Sequence, residues 1–115
     1  MKALLLTLQS WPFQTMHLGY KDREYRKDSS SNWIRSRLID SKTDEPKHYD
    51  VVKFVNGYGK DKPYFVAAYK GFEMAKKNYM VEYKTGLKVN VKKGDFRILL
   101  GPIIRKGNVY SNELF

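Results

Sequence analysis

Lys21, Glu24 and Arg26 are the residues whose types and spacing could act together chemically, in the stretch Gly19-Tyr-Lys-Asp-Arg-Glu-Tyr-Arg26. If a strand starts near Asp22, Glu24 and Arg26 lie two apart on one face. There the carboxylate can hold the guanidinium fork ready for a phosphate or a base edge. Strict alternation would send Lys21 to the other side, so it joins them only from the turn before the strand. In that place it is a cationic anchor, or a general base if burial lowers its pKa. Gly19 can take a positive φ, which would stop a preceding helix and let backbone approach a ligand. The plain alternative is a surface hairpin with an ordinary ion pair.

A second candidate group is the loop Asn56-Gly-Tyr58-Gly-Lys60. It lacks the spacing and the hydroxyl residue of a P-loop. As a rim over the first group, Asn56 can read a base edge, Tyr58 can stack on one and Lys60 can meet phosphate. Its glycines serve an ordinary hairpin equally well. Trp11 and Trp33 fall at helix positions and are expected to pack in the core or a groove. His17 and His48 are isolated, so no metal site is expected. Lys84, Lys88, Lys92, Lys93, Arg105 and Lys106 fall on or near late strands and suggest a basic face, or simply a solvated one.

These groups sit in a chain of 115 residues, the size of one domain spanning residues 1–115. Lys and Arg number 22 against 12 acids, a formal charge of +10, which attracts polyanions and nucleic acid above all. Aromatics are 15% of the chain and suit strands and base stacking alike. Cysteine is absent, which excludes disulfides, thiolate metal sites and cysteine nucleophiles. The opening residues lack a signal-peptide pattern and no apolar run reaches membrane-spanning length. A cytoplasmic protein without cofactor, metal or membrane contact is the expectation.

The elements that must position the candidates follow from periodicity. Lys2 to Gln9 is short and apolar, which predicts a strand buried on both faces. Ser10 to Gly19 reads as a two-turn helix, and Tyr20 to Lys27 as a turn entering a strand. "SSSNWIRSRLID" predicts a serine-capped second helix with Ile34 and Leu38 inward and Arg35 and Arg37 at its surface. Beyond His48 the period becomes two, with strands over Tyr49–Val55, Tyr64–Tyr69, Tyr79–Tyr83, Leu87–Val91 and Phe96–Arg105. Gly101-Pro102 predicts a bend or bulge in the last of these.

Through Gly19, Lys21, Glu24 and Arg26, residues 19–26 match G-x-K-x-x-E-x-R and so resemble the ASCH (activating-signal-cointegrator homology) family. "FRILLGPIIRKGN" looks like the last strand of that family. "FVNGYGKDKP" resembles a segment of its small bacterial and phage members, and the likeness covers nearly the whole chain. It implies an α+β, PUA-like mixed β-barrel of about five to six strands with two short flanking helices. It also implies RNA or a modified nucleotide bound in a cleft beside the motif, by Lys21, Glu24 and Arg26, with Asn56, Tyr58 and Lys60 above. The alternative it carries is a hydrolase acting on RNA or on an acylated nucleoside such as acetylcytidine, with Lys21 and Glu24 as catalytic pair. The acetylcytidine amidohydrolases resemble the chain at Lys21 but place a threonine where Glu24 stands, and use a later glutamate. Glu73 and Glu82 are the later acids in strand regions, and neither matches that glutamate clearly. Contact between the basic surface and a protein partner is a third option.

Overall fold

The computed structural model describes residues 2–8, 22–28, 33–57 and 61–108. Among these described residues are seven strands and one short helix: β1 (Ala3–Leu8), β2 (Arg23–Arg26), α1 (Ile34–Leu38), β3 (Val51–Asn56), β4 (Tyr64–Met74), β5 (Tyr79–Glu82), β6 (Lys88–Val91) and β7 (Phe96–Gly107). Five of them make a mixed sheet in the order β1-β3-β4-β7-β2, and β5 and β6 pair as a separate hairpin. Only β1 and β3 run parallel; their register pairs Ala3 with Val51 and Leu8 with Asn56. The chain therefore crosses the sheet between them, forming β2 and α1 on the way.

Period-two alternation explains the core. Leu4, Leu6 and Leu8 of β1, Val52 and Phe54 of β3, Phe65 and Ala67 of β4, and Phe96 and Ile98 of β7 turn to one face and are buried. Ile34 and Leu38, four apart on α1, cover that face. Phe54 and Phe65 stack across β3 and β4 with ring centroids 5.1 Å apart. β1 is half-buried, not buried on both faces as its composition suggests. On its other side Ala3 and Leu5 are exposed, Leu5 at 60%.

Bulges bend the long strands. Along β4 and β7 the register slips between Val66 and Ala67, between Ala67 and Tyr69, and between Tyr69 and Phe72. The first slip leaves Ile104 as an extra residue, exposed at 59%. The second falls at Gly101-Pro102, where the sequence predicts a break. The third takes in Gly71 at φ +95°, a conformation suited to glycine. A side chain at Gly107 would collide with the ring of Tyr64, its register partner, which occupies the space a Cβ would need.

The sheet curls into a half-barrel, in keeping with the barrel-like expectation. The two flanking helices differ from it. α1 is a single helix of five residues among those described, and Ser10–Gly19 lies outside them. The N-cap of α1 is Trp33 in a left-handed conformation without a side-chain cap, in place of a serine. No helix among the described residues is long and apolar enough to cross a membrane.

Candidate functional site at the barrel seam

β2 pairs antiparallel with β7, placing Glu24 opposite Ile98 and Arg26 opposite Phe96. Both partners point to the core, so Glu24 and Arg26 face the inside of the half-barrel, as the two-residue spacing predicts. Glu24 is 4% exposed. Its Oε2 accepts from Arg26 Nε at 3.0 Å and lies 2.9 Å from Arg26 Nη2. Its Oε1 accepts from the Tyr25 N–H at 3.1 Å. The ion pair is thus desolvated on the acid side, where electrostatics are strong and an unmatched charge is costly.

Arg26 Nη2 also donates to the Thr7 carbonyl at 2.8 Å. Thr7 is on β1 and Arg26 on β2, the two edge strands of the sheet, so one guanidinium bridges the opening. Even-numbered β1 carbonyls face β3: Lys2 accepts from Asp50 N–H, and Leu8 from Gly57 N–H at 3.0 Å. The odd-numbered carbonyls face the opening. Thr7 is taken by Arg26, and Leu5 by Arg37 Nη1 at 2.8 Å. Arginines from β2 and α1 therefore satisfy an edge that another strand would otherwise find.

α1 sits across this opening, with its two surface arginines reaching opposite ways. Arg37 grips β1. Arg35 pairs with Asp28 just beyond β2, through Nε at 3.1 Å to each carboxylate oxygen and through Nη2. That pairing holds the Asp28 carboxyl below the usual range and the Arg35 guanidinium above its own. Arg35 also lies 5.4 Å from the ring centre of Phe96, the register partner of Arg26. A cavity of about 420 Å³ opens beside it, lined by Asp28, Trp33, Arg35, Ser36, Ile39, Ser41 and Asp44. Trp33 lines it at the rim, 69% exposed, so of the two places expected for it, core or groove, the core is not the one it takes.

Asn56, the last residue of β3, is paired with Leu8, one step along β1 from the carbonyl that holds Arg26. Its N–H donates to the Pro63 carbonyl at 2.8 Å, closing the base of the loop. Glu24, Arg26 and Asn56 are thus brought to one end of the half-barrel. Lys21, Tyr58 and Lys60 lie outside the described residues, as do Trp11 and His17. Among the described residues no three acidic or histidine side chains gather as a metal site.

The late cations do not form one face. Lys84, Lys88, Lys92 and Lys93 are exposed on or beside the β5–β6 hairpin, whereas Arg105 and Lys106 lie at the far end of β7. Most of the length of β7 separates them. Arg105 and Lys53 instead flank the Tyr64 ring, 5.9 and 4.2 Å from its centre.

Sequence reasoning missed a polar cluster on the outer side of β2. Tyr25 points away from Glu24 and meets Tyr79 edge-on at 6.5 Å. Arg97 donates to the Tyr79 hydroxyl at 3.0 Å and pairs with Glu73 at 2.7 Å. The Tyr25 and Tyr83 hydroxyls share a hydrogen bond, and burial pushes both phenols up. Alternation in Arg23-Glu-Tyr-Arg26 signals the outward turn of Tyr25; its partners, more than fifty residues away, leave no local trace. Glu73 is therefore tied to Arg97, while Glu82 is exposed on β5.

Comparison of the chain with protein-family models, with curated proteins and with solved structures gives no match.

Proposed function

We propose that this protein binds RNA, or a modified nucleotide within it, at the seam beside Gly19, Lys21, Glu24 and Arg26, as the ASCH, PUA-like resemblance implies. The observation that carries the reading is the guanidinium of Arg26, held by a buried carboxylate at an opening, in a chain of charge +10. A guanidinium fixed in this way loses little entropy when its remaining N–H groups meet a phosphate or a base edge. Asn56 at the same end can contribute an amide that reads a base, and Lys21, Tyr58 and Lys60 complete the proposed contacts.

The hydrolase reading, with Lys21 and Glu24 as catalytic pair on RNA or an acylated nucleoside, has less in its favour. Both Glu24 oxygens already accept hydrogen bonds, from Arg26 and from the Tyr25 N–H. At 4% exposure and pinned by Arg26, the carboxylate has little freedom to reach the proton of an attacking water, which a general base must do.

The test is ligand-induced thermal shift with short RNAs and modified nucleosides, followed by affinity measurement on Lys21→Ala and Arg26→Lys. RNA is expected to raise the melting temperature, and both variants are expected to bind at least several-fold more weakly. Arg26→Lys keeps a charge while losing the fork. Equal RNA affinity in parent and both variants would refute the seam as the binding site.

A further inference from the structure

We propose that the cavity beside α1 is a second contact, a pocket that takes one unstacked, amino-bearing nucleobase of the bound RNA between Trp33 and Asp44. The proposal rests on the RNA reading for the source of its ligand, but on separate residues.

Trp33 is a large aromatic side chain left 69% exposed at the start of a helix. Its backbone is left-handed, φ 58° and ψ 17°, a conformation that bulky residues rarely adopt. Such a residue persists where its surroundings hold it, and strain of this kind gathers at binding sites. The Ser36 hydroxyl donates to the Trp33 carbonyl at 2.9 Å, and Arg35 is locked to Asp28 on the rim. Asp44, at φ 60°, is turned into the same lining. Ile39 supplies an apolar wall, and Ser36 and Ser41 add hydroxyls.

The volume of about 420 Å³ falls within the range of small-ligand pockets. An indole face suits a planar base, and a carboxylate accepts from the exocyclic amino group of cytosine or adenine. The pocket neighbours the seam through Arg35, which lines it and lies 5.4 Å from the ring centre of Phe96, the register partner of Arg26. A strand whose backbone meets Arg26 can therefore drop a base beside Trp33.

Tryptophan emission of the full chain is titrated with cytidine, adenosine and uridine, and RNA affinity is measured in parallel. Trp33→Gly suits the existing backbone and removes only an exposed ring; Asp44→Asn tolerates the same φ. Cytidine and adenosine should quench the parent saturably and more strongly than uridine. Trp33→Gly should abolish that quenching and weaken RNA binding about tenfold. Asp44→Asn should erase the preference over uridine. No saturable quenching, or the same quenching in Trp33→Gly, overturns the pocket. RNA bound equally by parent and Trp33→Gly also overturns it while leaving the seam in place. Nucleoside quenching in a protein without RNA affinity supports the pocket and removes the seam reading.

Discussion

Tyr69 carries its hydroxyl into the fold without a hydrogen-bond partner among the described residues. The ring meets Tyr49 edge-on at 5.4 Å, and burial pushes the phenol up to about 12. The sign of the pH effect follows. Between pH 10 and about 12 the unfolded chain ionises this phenol and the folded chain does not, so stability falls as pH rises through that window. The loss is about 2–3 kcal/mol for a shift of this size. Tyr69→Phe is expected to flatten that part of the pH profile. At neutral pH it should stabilise by about 1 kcal/mol, because an unpaired buried hydroxyl is removed. Urea unfolding at pH 7 and pH 11 checks both. A variant less stable than the parent at pH 7 would show that the hydroxyl has a partner.

At the scale of elements, the half-barrel closes through side chains. β1 and β2 are at opposite edges of the sheet, and the ladder between them is replaced by Arg26 on Thr7, with Arg37 on Leu5 alongside. Glu24 is the counter-charge that makes the first of these tolerable in a poorly solvated place. Glu24→Gln keeps the shape and leaves the guanidinium without its anion. The expected cost is about 2–3 kcal/mol, somewhat under the roughly 3–5 kcal/mol of a fully buried pair because Arg26 retains some solvent contact. Denaturant unfolding measures it; an unchanged midpoint would mean the clasp adds nothing to stability. The same geometry makes Arg26→Ala a poor probe of binding, since it opens the seam as well as removing a contact.

For the whole molecule, the excess of ten positive charges dominates encounters with polyanions. It is spread over the seam, the β5–β6 hairpin and the far end of β7, so a bound strand meets cations along several directions. Neutralising about four phosphates of single-stranded RNA would weaken binding about 50-fold between 50 and 200 mM salt. Affinities across that range give the slope directly. An affinity indifferent to salt would rule out phosphate contacts as its source and leave the charge as a solubility feature. The β5–β6 hairpin adds to the shape by docking Tyr79 and Tyr83 on the outer side of β2, a layer separate from the main core.

Much was legible from local pattern, because a strand sorts its side chains by parity alone. Val52 and Phe54 on a shared side of their strand, the bend at Gly101-Pro102 and the shared face of Glu24 and Arg26 all follow from spacing. What parity cannot encode is which strands become edges. The amino-acid sequence by itself determined a basic, strand-rich chain with an acid and a guanidinium side by side. Only the tertiary structure decided that β1 and β2 meet at a seam, that Arg26 spans it, and that Trp33 stands in solvent beside it. Those outcomes depend on contacts between residues far apart in the chain, whose free energy is gained only once the sheet has curled.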